Sequence, residues 1–321
     1  HDAAGHRVEG AIADLRRLMY CGEWIESHTL HIYLLHAPDF LGYEGAVQMA
    51  QDHAAVVQRG LRLKRVGNDI LALVGGREVH PIDYRVGGFY SVPDRQTLGS
   101  LEAPLEEARS AALETVRWVS QFDFPGFEVA HELVALRTED DRYPMEDGRV
   151  VSSSGLDIEA AHFLDHFAEE QVSHSTALHC RSRKGGLYMV GPLARYSLNA
   201  DRLAPIAREA AAEAGLGAEC RNPFRSIIVR AVEVVHAVDE ALRIVRRYEP
   251  PERPYEPVDA RDGVGHGVSE APRGLLYHRY QLDHQELIRD ATIIPPTSQN
   301  QAALEDDLRR VAQRNLHRPE P

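Results

Sequence analysis

Cysteine is scarce in this chain. Only Cys21, Cys180 and Cys220 occur in 321 residues, and they lie far apart. An odd number without short spacing excludes a disulfide framework and a zinc knuckle, which leaves buried free thiols in a reducing compartment. Long apolar runs are also missing. Residues 227–238 come nearest to one but are interrupted by Arg230, Glu233 and His236, and crossing a bilayer needs roughly 18 apolar residues. No leader pattern stands at the start. Basic charge is in deficit: 36 Lys and Arg against 49 Asp and Glu give a net charge of −13. That balance disfavours non-specific contact with nucleic acid or anionic membranes. The expectation is a cytoplasmic protein with no membrane span and no nucleic-acid partner.

What is present reads as mainly helical. Residues 11–35 carry Leu15, Leu18, Met19, Trp24 and Ile25 at helical spacing, with Pro38 closing the run. Helices continue over 48–74 and 101–122. Short strands and turns are expected between about 128 and 157, because Pro144, Gly148 and Gly155 interrupt the apolar segments. Helices return over 157–171, 205–214 and 223–248, and the last is apolar on so many faces that it reads as a central, buried helix. A proline-rich loop follows from Pro250. Residues 275–283 and 287–294 then read as a hairpin, and 301–316 as a final helix. The fold class expected is α+β, mainly α: one domain over 1–321, a central helical bundle with small peripheral antiparallel sheets.

The generic chemical motifs are weak. Gly263-x-Gly265-x-Gly267 has the glycines of a phosphate loop but lacks the strand before and the helix after that a dinucleotide site needs. His162 and His166 have metal-pair spacing, but no third ligand is near, and Asp165, Glu169 and Glu170 mark a solvated face. His28 and His31 share a helix face, where core hydrogen bonding is the ordinary role of a histidine; His36 follows them. Asp39, just after Pro38, needs a cation or donors if buried, and Arg273 is a partner of the right type.

Five ordered segments carry more information. They are His36-Ala37-Pro38-Asp39-Phe40-Leu41-Gly42; Gly75-Gly76-Arg77-Glu78-Val79-His80-Pro81 with Gly87-Gly88-Phe89; Cys220-Arg221-Asn222-Pro223-Phe224-Arg225-Ser226; Glu270-Ala271-Pro272-Arg273-Gly274; and Pro295-Pro296-Thr297-Ser298-Gln299-Asn300. Together they resemble the large (alpha) subunit of nickel–iron hydrogenases, in the style of the soluble pyridine-nucleotide-linked or sulfhydrogenase type. The resemblance implies reversible H2 oxidation at a nickel–iron centre whose iron carries carbon monoxide and cyanide. It implies Arg273 and Asp39 as the catalytic pair, with Asp39 holding Arg273 above the metals. It places Glu270, Pro272, Pro296 and Thr297 around the diatomic ligands, Arg273 and Thr297 donating to cyanide between proline walls. His80, Gly87 and Gly88 would face an iron–sulfur small subunit, with diaphorase-type electron-transfer subunits beyond it.

One requirement of that family is not met. Its nickel is held by soft thiolates from two Cys-x-x-Cys pairs, and neither pair is here. The resemblance places one pair upstream of His1 and the other downstream of Pro321, so the chain reads as an internal segment cut at both ends. The acidic residue that passes protons from a terminal thiolate is missing with them, and Arg7-Val8-Glu9-Gly10, which resembles another family motif, is out of place. The expectation is a chain that binds no metal and is inactive alone. An alternative is a non-enzymatic descendant related to the quinone-site subunit of respiratory complex I, which shares this ancestry and has lost the cysteines. The intact segment 295–300, with Arg273 and Asp39, favours the hydrogenase reading. A stand-alone binding protein is disfavoured because His80-Pro81 and Gly87-Gly88 resemble a docking surface.

Overall fold

The computed structural model of the protein describes residues 1–259, 261–285 and 287–316; the tail 317–321 lies outside them. Helix α1 (Gly10–Leu30) runs into a π-helical turn (His31–His36) and the short α2 (Ala37–Leu41), followed by α3 (Ala46–Asp52) and α4 (Ala54–Gly75). A small ribbon, β1 (Tyr84–Arg85) and β2 (Gly88–Phe89), leads to α5 (Arg95–Gly99) and α6 (Glu102–Val119). Strands β3 (Glu132–Arg137), β4 (Arg149–Ser152) and β5 (Asp157–Ile158) come next, then α7 (Phe163–His166) and the hairpin β6 (Phe167–Gln171) and β7 (Leu178–Ser182). After β8 (Tyr188–Met189) come α8 (Pro192–Asn199), α9 (Pro205–Glu213) and α10 (Ser226–Arg247). Strands β9 (Gly263–Ala271), β10 (Gly274–Leu282) and β11 (Ile288–Ile294) and helix α11 (Pro296–Asn315) complete the order.

Helix α10 is the axis of the bundle. It is buried on nearly every side, from Ile227 to Val245, and packs on α1, α6, α8 and α9. A helix apolar all round can persist only inside a core, so its breadth of apolar residues is its own explanation. Helix α1 packs beside it and α4 packs on α1, with Leu15, Leu18, Trp24 and Ile25 from α1 and Leu63, Ile70 and Val74 from α4 in the same apolar cluster. A second cluster lies among the strands: Val134, Leu136, Phe163, Phe167, Tyr188, Leu275 and Tyr277. Strand β3 joins the two, since its side chains alternate between them: Leu133 and Ala135 in the first, Val134 and Leu136 in the second.

Four of the sequence expectations change. Pro38 does not close the first helical run. The wider turn at 31–36 releases the backbone ahead of it, and Pro38 then sits in the first turn of α2, where a missing N–H costs nothing. Residues 157–171 are not one helix: only Phe163–His166 is α-helical. Phe167–Gln171 pairs antiparallel with Leu178–Ser182, so tertiary pairing overrides local propensity. Gly263-x-Gly265-x-Gly267 is no loop but lies within β9, paired residue for residue with β10. Finally, the small sheets are not purely antiparallel, because β3 pairs parallel with β8.

Candidate functional site

The two signature segments meet through their backbones. Strands β9 and β10 form a hairpin in which Ala271 faces Gly274, so Pro272 and Arg273 are its two-residue turn. Proline fixes φ at the turn, and Gly274 takes φ +136°, a region closed to ordinary side chains. A Cβ on Gly274 would stand 2.6 Å from Val190 and 2.8 Å from the Gly191 nitrogen. The turn is therefore seated tightly on residues 190–191. Asn300 grips the same place from the other segment: Val190 N–H donates to its Oδ1 at 2.8 Å, and its Nδ2 donates to the Val190 carbonyl at 3.2 Å. Gln299, fully buried, donates to the Leu275 carbonyl at 2.5 Å and accepts from the Tyr188 hydroxyl at 3.3 Å. The side chains of 299 and 300 thus tie the first turn of α11 to the hairpin. Pro296 sits at the start of that helix, where its lost N–H is one the helix could not use.

Beneath the turn lies a buried ionic network that the sequence reading did not find. Arg195, on α8 and wholly buried, uses its whole donor fork. It donates to Glu233 Oε1 and Oε2, both at 2.9 Å, to Glu270 Oε2 at 3.0 Å, and to the carbonyls of Ala271 at 2.7 Å and Pro272 at 3.0 Å. Its guanidinium lies 4.4 Å from the Trp24 ring centroid, and the Trp24 indole donates to the Glu270 carbonyl at 2.9 Å. Tyr143 donates to Glu233 at 2.9 Å, and His28 Nε2 lies 2.9 Å from that carboxylate. Glu270 also accepts from Leu136 N–H at 2.7 Å.

One arginine between two carboxylates divides them. Burial works to raise Glu233, but the charge and paired hydrogen bonds of Arg195, with His28, hold it below its ordinary value. Burial pushes Glu270 up to about 7, with Arg195 and Leu136 opposing. Glu233 is the ionised partner of Arg195, and Glu270 is the carboxyl that can carry a proton near neutrality. The sequence did contain a signal. Arg230, Glu233 and His236 are the polar residues within the otherwise apolar stretch 227–238 of α10, and buried polar residues must find partners.

Above the turn opens a cleft of about 660 Å³. Arg273, Pro296 and Thr297 line it, as do His31 and His36 from the π-helical turn, Arg230 from α10, and an apolar wall that includes Phe127, Leu193 and Phe224. Burial holds His31 far below the usual imidazole value and His36 at about 4, with the charge of Arg230 adding to both. Both rings are neutral at pH 7. Burial also lowers Arg230 to about 10. His31 Nδ1, His36 Nδ1 and Arg230 Nε are buried with no hydrogen-bond partner. A π-helical turn commonly marks a functional site, and here it presents two of the three orphaned nitrogens.

Of the residues picked out in the sequence, Arg273, Pro296 and Thr297 come together at the cleft. Pro272 is buried behind Arg273 in the turn, and Glu270 points away, into the Arg195 network. Asp39 does not join them. It is exposed on α2 and does not line the cleft, and its charge is felt at His36 instead. The extra residue in the π-helical turn rotates everything after it by about 100° relative to an unbroken α-helix. His80 is exposed, with φ +53°. Gly87 and Gly88 are buried, not open to solvent. A Cβ on Gly87 would stand 2.0 Å from the Glu256 carbonyl oxygen, and one on Gly88 2.5 Å from that of Pro254. Close packing against this chain's own segment 254–256 requires both glycines.

Comparison with known proteins follows the same lines. The alpha subunit of sulfhydrogenase 1 from Pyrococcus furiosus is 30% identical over 320 residues, covering 98% of this chain and 74% of the relative. The chain belongs to the nickel–iron hydrogenase large-subunit family. The alpha subunit of sulfhydrogenase 2 from the same organism is 32% identical over 314 residues, covering 97% of this chain and 73% of the relative. A solved NAD+-reducing nickel–iron hydrogenase in its H2-reduced state superposes with TM-score 0.85 at 22% identity, over 94% of this chain and 73% of that one. This likeness shows the shared fold. No protein-family model matches the chain. The hydrogenase large-subunit relatives do not favour the reading as a descendant related to complex I. The chain spans about three quarters of those relatives. Among the described residues, no helix is long and apolar enough to cross a membrane.

The family's nickel–iron centre needs thiolates, and the side chains here do not supply them. No cysteine lines the cleft. Cys21, Cys180 and Cys220 are buried elsewhere, and burial pushes each thiol up, Cys180 to about 11. The orphaned atoms at the cleft are imidazole and guanidinium nitrogens, a donor set that does not fit a thiolate-held centre.

Proposed function

We propose that this chain forms the covering wall of a hydrogen-activating site in a hydrogenase that oxidises H2 reversibly. The observation that carries the reading is the convergence of Arg273 and Thr297, from separate segments, on one largely apolar cleft backed by Pro296. In that wall Arg273 supplies a fixed positive charge and a fork of N–H donors, and Thr297 supplies a hydroxyl. Pro272 and Pro296 add no competing N–H. Such donors suit electron-rich diatomic ligands, cyanide and carbon monoxide. Arg195 is a positioning residue: it holds the carbonyls of Ala271 and Pro272, and so the turn that presents Arg273.

Electrons leave such a site through an iron–sulfur small subunit, with diaphorase-type subunits as further partners, in the cytoplasm. For docking, the stretch around His80 offers Val79, Ile82, Val86 and Tyr90, each more than half exposed at 65%, 62%, 56% and 64%. Exposed apolar side chains gathered on one segment mark an interaction surface. The chain alone, without a thiolate set, holds no nickel and turns over no H2.

The test is Arg273→Lys in the assembled hydrogenase. Lysine keeps the charge but loses the planar fork. H2 oxidation is expected to fall by about 10²–10³-fold, the usual loss for a preorganised donor. The thermal melt of the chain should not move, because Arg273 is exposed. An unchanged rate overturns the assignment.

A further inference from the structure

We propose that His174, His179 and Glu305 form a divalent-cation site of the zinc class that clips the β6–β7 hairpin to helix α11. The two histidines come from the hairpin and the glutamate from the helix, more than 120 residues away. Their ligand atoms all lie within 4.8 Å of one another. His174 Nε2 stands 3.0 Å from Glu305 Oε2, and His179 Nε2 stands 3.1 Å from Glu305 Oε1. The two rings meet edge to face at 5.6 Å. Both imidazoles thus address one carboxylate, an oxygen each.

The buried member shows that hydrogen bonding alone does not account for this arrangement. His179 is 1% exposed, yet neither of its ring nitrogens makes a hydrogen bond of acceptable geometry, despite the short distance to Glu305. A buried imidazole aimed at a carboxylate along a poor hydrogen-bond line is arranged as a ligand is. Neighbouring ligands of a tetrahedral cation with bonds of about 2.0–2.2 Å stand roughly 3.4 Å apart. A small spreading of these side chains would make that room. Two imidazole nitrogens and one carboxylate match the borderline softness of zinc, and the exposed His174 side leaves a fourth position for water. A second cluster, His131 with Asp306 and Asp307, is less suited, because Arg309 and Arg310 already pair with Asp306. A cation at Glu305 would brace the helix that carries Pro296 and Thr297 to the cleft.

The test is calorimetric titration of Zn2+ alone into the metal-stripped 321-residue chain and its variants. Wild type is expected to bind one equivalent and to melt at a higher temperature with zinc. His179→Ala and Glu305→Gln should each weaken binding by at least tenfold and abolish the shift in melting. His162→Ala, which removes an exposed histidine paired only with Asp165, should leave both unchanged. His174→Ala alters an exposed side chain and carries the same expectation if His179→Ala does not fold. No zinc binding by wild type overturns the proposal. So does binding of equal affinity in wild type, His174→Ala and Glu305→Gln.

Discussion

Replacing Arg195 by methionine keeps most of the side-chain volume and removes every donor. The guanidinium it removes is wholly buried and serves two carboxylates and two backbone carbonyls. Glu270, already near neutrality, can take a proton and limit its own cost. Glu233, held ionised by Arg195 against its burial, must then either stay as an unpaired buried charge or be protonated at neutral pH. The expected loss is that of one orphaned buried charge, about 3–5 kcal/mol. That is a large part of the roughly 5–15 kcal/mol that holds a typical protein folded. Guanidinium unfolding of the purified chain measures it. The double variant Arg195→Met with Glu233→Leu removes the charge with its partner and should regain most of the loss, since an apolar pair of similar volume is often neutral relative to the ion pair. A loss below about 1 kcal/mol, or a double variant no more stable than the single one, refutes the reasoning.

Two further outcomes follow from the same geometry. The fold holds a proton on Glu270 that the unfolded chain releases, so that contribution is fully present below the unfolded carboxyl value and lost as pH rises through about 7. His28, His36 and His236, held neutral by burial down to about 4, act oppositely: their contribution is present above the ordinary imidazole value and lost as pH falls. Wild-type stability should therefore rise towards pH 6.5, and Glu270→Gln should gain on wild type by about 1–3 kcal/mol between pH 5 and 8; parallel pH profiles rule this out. Gly274→Ala forces a side chain into φ +136° and against Val190, and should cost about 1–3 kcal/mol by denaturant unfolding.

Much of this architecture was legible in the sequence where periodicity was strong. The buried helix α10, the long α6 and the β10–β11 hairpin all lie close to where apolar spacing placed them. The cleft-facing roles of Arg273, Pro296 and Thr297 came from short motifs rather than from periodicity. The misses have physical causes. Asp39 was paired with Arg273 through the family resemblance and the need of a buried acid for a cation, and a π-helical turn, which leaves no mark in residue spacing, precedes it. Glycines 87 and 88 read as a docking surface because spacing cannot show that segment 254–256 lies against them. Arg195 was invisible for a related reason. Its partners are 38 to 77 residues away, and only the fold brings them together. The polar breaks in α10 argued against a membrane span, yet they were also the signal that a buried network existed.

Nickel content tests the central claim most directly, namely that this chain is the covering wall of a hydrogenase site and does not hold its metals. The measurement is elemental analysis of the purified chain in a His174→Ala/His179→Ala background, so that nickel on those histidines cannot contribute. No stoichiometric nickel is the result predicted. One nickel per chain, retained through purification, would contradict it.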